Sequence, residues 1–186
     1  KQARIAADNI IHGNSRVYKG TIGTSIAKLF EMTVASAGAS ERLLAREGIK
    51  YMTSISHAGS HAGYYPGALP LSIKINFAPD GRLLGAQVVG FDGVDKRVDL
   101  LAQVIRNEGT IYDLQEIEHA YAPPFSSAKD PVNMAGFIAE NILRGRVKIV
   151  HWYEVENAGP GTVIVDVRTE EEFEAGHIQD AVNIPV

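Results

Sequence analysis

The residues best suited to chemistry are concentrated in two short stretches, "HAGYYPGA" (61–68) and "HAYAPPFSSAKDP" (119–131). Tyr121 is the leading single candidate. Pro123 and Pro124 hold Ala122 and each other in extended geometry, so this backbone cannot relax into helix and the phenol is presented in a defined direction. A phenol of pKa about 10 keeps its proton at neutral pH and can donate a hydrogen bond to a developing thiolate or alkoxide. Packing under a proline loop fits the same residue types equally well. Tyr64 and Tyr65, ahead of Pro66 and Gly67, form an aromatic pair at a turn, and on residue types alone they read as surface or interface packing.

Other candidates carry less. His57 and His61 stand four apart, a spacing that on a helix would bring two imidazoles to one metal, but Gly59 and Gly63 argue against helix. In an extended chain four residues span roughly 13 Å, too far to share an ion, so no metal site is expected. His119 has the residue type of a general base without a nucleophile nearby and reads as structural. "GTIGTS" (20–25) has the glycines of a phosphate loop without its Gly-Lys-Ser/Thr ending and reads as a turn. The chain has no cysteine, so it can supply neither disulfide nor thiol chemistry by itself.

The elements that must position these residues form one α+β unit, an antiparallel sheet with helices on one face. "LFEMTVASAG" (29–38) is expected as a strand with Phe30, Met32 and Val34 on one side, followed by a short helix that Ser40 caps and Gly48 ends. "IKYMTSIS" (49–56) is the next strand, and the Asp80-Gly81 pair between "LSIKINF" and "LLGAQVVGF" signals a hairpin over 71–91. A helix from Val94 places Val98, Leu101 and Ile105 on one stripe, and a second covers about 111–118. Asp130 as N-cap and Pro131 at the first position open a third, ended by Gly145, with Val132, Ala135, Ile138, Ala139 and Ile142 inward. Beyond it, "TVIVDV", "RTEEEFEAGHI" and "AVNIPV" read as the opening βαβ piece of an α/β domain, too short to close its own sheet.

With 45% hydrophobic and 22% charged residues, disordered and fibrous classes are excluded. A net charge of −4 with scattered cations gives no footprint for nucleic acid or an anionic membrane. Arg144, Arg146 and Lys148 read as a solvated linker. No apolar run approaches a membrane span, and a cytoplasmic location is expected. The opening "KQARIAADNII" begins at or inside a helix and the close falls on a strand-like segment, so a portion of a longer protein is expected.

Four of these stretches, "KQARIAADNI", "HAGYYPGA", "LLGAQVVG" and above all "HAYAPPFSSAKDPVNMAGFIAEN", resemble the C-terminal part of flavin-dependent pyridine nucleotide-disulfide oxidoreductases, in the CoA-disulfide reductase and NADH oxidase branch. "VIVDVRTEEEFEAGHIQDAVNIP" resembles the opening of a rhodanese domain. The resemblance implies that residues 1–15 end an FAD-binding domain, with Lys1 and Gln2 on its cofactor side. Residues 16–145 would be a dimerisation domain, 146–161 a linker and 162–186 the truncated start of a rhodanese-like domain. It implies FAD, NAD(P)H and CoA as cofactors of the whole protein, with none held by this chain alone. Its partners would be a second copy and a CoA-linked disulfide or persulfide.

In that family two tail tyrosines hydrogen-bond the departing thiolate in the partner subunit; they match Tyr121 and one of Tyr64 and Tyr65, with Tyr65 preferred because a proline follows it. The His-x4-Glu pair of glutathione-reductase-like relatives is absent, since five residues on from His119 lies Pro124. Asp166, Arg168 and His177 match the rhodanese pattern as framework residues. Two classes compete: the site-completing portion of a CoA-disulfide, CoA-persulfide or polysulfide reductase (or an NADH oxidase of the same family), and an interaction module whose tyrosines only anchor an interface.

Overall fold

The computed structural model describes all residues, 1–186, and divides into two compact units, Lys1–Val147 and Lys148–Val186. In the first, helix α1 (Gln2–His12) precedes a sheet of β1 (Ser25–Leu29), β2 (Met32–Gly38), β3 (Met52–Gly59), β4 (Pro70–Phe77) and β5 (Leu83–Gly90). Every neighbouring pair is antiparallel and the order is β1-β2-β5-β4-β3. The hairpin expected at Asp80-Gly81 joins β4 to β5: Gly81 takes φ +88°, and its amide donates to the Ala78 carbonyl at 2.8 Å. Gly85 lies so close to the neighbouring backbone that a Cβ there would stand 2.0 Å from the Ala39 carbonyl oxygen, so only glycine fits.

The strand expected over 29–38 is instead the second half of a tight hairpin. β1 pairs with β2 from Ser25↔Ser36 to Leu29↔Met32, and Phe30 sits in the turn at φ +54° with its ring fully exposed. Because Phe30 is a turn residue, it does not share a strand face with Met32 and Val34. Nothing in "LFEM" announces this turn: the residue forced into the left-handed region is an aromatic, not the glycine or asparagine that such a backbone favours.

Helix α3 (Val94–Arg106) packs on β2 and β5, and α5 (Pro131–Leu143) packs on β3, β4 and the short α4 (Ile111–Glu116). Their shared core contains Leu71, Ile73, Ile75 and Phe77 of β4, Ala86 and Val88 of β5, Val94, Val98 and Leu101 of α3, and Val132, Ala135 and Ala139 of α5. The strand residues recur at every second position and the helical ones every third or fourth, so each element turns one face to the same interior. Helix α2 (Glu41–Arg46) starts as expected, with Ser40 Oγ accepting from the Leu43 amide. Its Glu41 bonds Lys74 Nζ at 2.5 Å and Thr53 Oγ1 at 2.7 Å.

In the second unit, α6 (Trp152–Val155) is followed by β6 (Val165–Asp166), α7 (Glu170–Ala175) and β7 (Val182–Asn183). β6 and β7 are parallel and flank α7, the βαβ piece read from the sequence. Thr169 and Glu172 close a capping box at the start of α7. Arg168 grips Asp166 with Nε and Nη2 and donates to the Gly176 carbonyl, while His177 stacks on Phe173 at 3.7 Å; all three framework residues are spent on internal contacts.

Candidate active-site arm

The segment 117–130 is fastened at both ends. At its start, Asn133 of α5 donates its amide to the carbonyls of Leu114, Gln115 and Ile117, stopping α4 and fixing where the chain leaves it. At its end, Asp130 caps α5: its carboxylate accepts from the Val132 amide, and Asn133 reciprocates by accepting from the Asp130 amide. Pro131 occupies the first helical position, where no amide is needed.

Between these anchors the Phe125 and Ser126 amides both donate to the Ala122 carbonyl, folding the proline segment into a turn. The Ser126 carbonyl in turn accepts from the Ala62 amide at 3.0 Å, docking the arm on the loop after β3. That loop carries Tyr64 and Tyr65. Fifty-seven residues apart in sequence, Tyr64 and Tyr121 meet hydroxyl to hydroxyl at 3.0 Å. Tyr65 turns elsewhere, its ring edge-on to His61 with centroids 5.7 Å apart.

Tyr64 is 77% exposed and Tyr121 46%, so the pair stands on the surface. Its hydrogen bond to Tyr64, helped by slight desolvation, holds the Tyr121 phenol above the usual tyrosine value. Tyr121 therefore keeps its proton at neutral pH. Of two bonded phenols one O–H is used within the pair and the other remains to donate outward.

Beneath the arm lies a charged network that the sequence reading missed. Arg97 and Asp130 are 1% and 0% exposed and meet at 2.8 Å. Burial raises the cost of ionising Asp130, but hydrogen bonds from Arg97, Ser126 and the Val132 amide overcome it and leave the carboxyl below its ordinary range. The signal was present: Arg97 stands three residues after Val94 and four before Leu101, on the buried stripe of α3. A charged residue there must have a partner.

The side chain of His119 is also largely covered, 5% exposed. Its Nδ1 is 3.9 Å from Asp130 and its Nε2 has no hydrogen-bond partner. Burial, reinforced by Lys96 and Arg97 and opposed by Asp130, depresses its pKa. The neutral ring is thus favoured in the folded state, and stability is complete above the unfolded histidine value of about 6.5 and declines as pH falls below it. Thermal melts between pH 7.5 and 5.5 should show a drop in Tm that His119→Asn largely removes.

His57 bonds Ser72 Oγ and His61 bonds the Ala62 carbonyl, and no group of three or more His, Cys, Asp or Glu is placed to hold a metal ion. No helix is long and apolar enough to cross a membrane. Lys1 and Gln2 lie exposed at the start of α1.

Residues 24–131 match the family model of the pyridine nucleotide-disulphide oxidoreductase dimerisation domain. The chain belongs to this family. Residues 150–186 match the rhodanese-like domain. Coenzyme A disulfide reductases from Staphylococcus epidermidis and Staphylococcus haemolyticus are each 40% identical, over 74% and 75% of this chain and 31% and 32% of their own length. The chain thus spans about a third of the length of these curated relatives.

Among solved structures, reduced Bacillus anthracis CoADR-RHD matches with a TM-score of 0.88 at 49% identity, covering 95% of this chain and 32% of that one. An NAD-dependent persulfide reductase from A. fulgidus matches at 0.90 and 36% identity, covering 99% and 33%. A water-forming NADH oxidase from Lactobacillus brevis, 23% identical, shares the fold over 74% of this chain and 31% of its own, with a TM-score of 0.70. The expected α+β architecture and oxidoreductase family are those of these relatives.

Proposed function

We propose that this chain is the dimer-forming, site-completing portion of an FAD- and NAD(P)H-dependent CoA-disulfide or CoA-persulfide reductase, and that Tyr121 and Tyr64 assist thiolate departure in the partner subunit. One observation carries the reading: two rigidly mounted phenols share a hydrogen bond at the surface, with an O–H to spare. In water such a donor gains little over a water molecule. Covered by a second subunit, it would face a sulfur reaction in a medium of lower dielectric, where a fixed donor aimed at developing charge is worth far more.

Reduction of CoA disulfide to two thiols takes two electrons and two protons. NAD(P)H and FAD would supply the electrons through the remainder of the protein, which would also carry the reactive cysteine. The contribution of the residues described here is a hydrogen bond to the sulfur that departs as thiolate, made as its charge appears. In this reading residues 1–15 end the FAD-binding domain with Lys1 and Gln2 towards the cofactor, 16–145 form the dimerisation domain, 146–161 a linker bearing α6, and 162–186 open the rhodanese-like domain. The protein works as a cytoplasmic homodimer.

The names of the relatives support the substrate class, since coenzyme A disulfide reductases and a persulfide reductase are both similar to this chain. In the full-length enzyme Tyr121→Phe should lower kcat about ten-fold or more with flavin content unchanged, because the hydrogen bond lost is made mainly in the transition state. Wild-type turnover in that variant would return Tyr121 to a packing role and favour the interaction-module reading.

A further inference from the structure

The tyrosine pair is held by backbone that is itself held from below, and the contacts form a closed circuit. Arg97 Nη2 donates to the Ser60 carbonyl at 2.8 Å, at the root of the Tyr64 loop, and to Asp130 Oδ2 at 2.8 Å. Arg97 Nε reaches Asp130 Oδ1 at 3.3 Å, and Nη1 reaches the Gly93 carbonyl at 3.2 Å. Asp130 Oδ2 accepts from Ser126 Oγ at 2.6 Å, and the Ser126 carbonyl accepts from the Ala62 amide at 3.0 Å, two residues from where the circuit began. Ser126, Asp130 and Arg97 are each no more than 1% exposed.

Two features exceed what stability requires. An N-cap needs a side-chain acceptor but no buried guanidinium, and a buried ion pair is seldom more stabilising than well-packed apolar residues of the same volume. What the pair does provide is geometry. A guanidinium is a planar fork, so fixing it on the Asp130 carboxylate fixes the direction in which it holds Ser60. Gly93 leaves the room this needs, since a Cβ there would come within 2.0 Å of Arg97 Nη1.

We propose that the Arg97–Asp130–Ser126 circuit is a positioning device that sets the spacing of the Tyr64 and Tyr121 hydroxyls. None of its members reaches the tyrosines directly; they act through the two loops. Its consequence for turnover rests on the function proposed above, whereas its consequence for the phenol pair does not.

The test separates the two. The full-length protein is labelled with 3-fluorotyrosine, and the two signals are assigned with Tyr64→Phe and Tyr121→Phe. Ser126→Ala removes one bond of the circuit and leaves the ion pair in place; Arg97→Lys keeps the charge and loses the fork. In both, with the circular dichroism of the wild type, the Tyr121 signal should titrate at the midpoint it shows in Tyr64→Phe, and turnover should fall about as far as in Tyr121→Phe while flavin reduction by NAD(P)H keeps its wild-type rate. A Tyr121 midpoint unchanged in both folded variants overturns the positioning role. If that midpoint moves and Tyr121→Phe nonetheless turns over normally, the positioning role stands and the catalytic reading of the pair fails.

Discussion

Asp130→Ala is expected to destabilise the chain by about 3–5 kcal/mol, because it strands the buried guanidinium of Arg97 without its counter-charge. Asp130 is wholly buried and Arg97 nearly so, and neither has solvent to fall back on. The same substitution removes the acceptor for the Val132 amide, a cap worth about 1 kcal/mol, and leaves Ser126 Oγ without its strongest partner. Against a domain stability of about 5–15 kcal/mol this is a large fraction. Urea unfolding of the chain should show a much lower midpoint. Asp130→Asn keeps an oxygen for the cap and for Ser126 but not the charge, so it should recover only the capping part. An unfolding free energy for Asp130→Ala within about 1 kcal/mol of wild type would mean that the pair is compensated by water and does not anchor the arm.

Much of the scaffold was legible because local chemistry and global fold agree there. Asp80-Gly81 made the central hairpin, Ser40 capped α2, and Asp130-Pro131 opened α5, each with its own hydrogen bond or φ to explain it. The β1–β2 turn was not legible, since Phe30 takes a left-handed backbone that no aromatic announces; pairing with β2 overrides its preference. At the site, the proline segment showed that Tyr121 is presented rigidly, but a contact across fifty-seven residues leaves no trace in spacing. Pro66 made Tyr65 the preferred partner, whereas it is Tyr64 that the fold brings to Tyr121 and Tyr65 that it turns to His61. Arg97 was readable in principle, as a cation on an apolar stripe, though only the fold names Asp130 and Ser60 as its partners.

The second large effect concerns where the phenols act. A pair this exposed is chemically incomplete alone: without a covering surface its spare O–H faces water. If a second subunit supplies that surface, tyrosines and cysteine at each site come from different chains. Hybrid dimers can then distinguish the subunits. One full-length subunit carries Tyr64→Phe and Tyr121→Phe with its cysteine intact, and the other carries intact tyrosines with its reactive cysteine replaced by serine.

Each parent homodimer should be severely impaired, the first for want of donors and the second for want of the thiol. Differently tagged subunits, co-expressed and purified through both tags, yield the hybrid. Its turnover with CoA disulfide is the most direct measurement of the central claim. Donation across the interface predicts about half of wild-type activity, since one of the two sites regains both cysteine and tyrosines. Turnover no higher than that of the Tyr64→Phe/Tyr121→Phe homodimer would mean that the phenols serve the thiol of their own subunit or none, and would contradict the account.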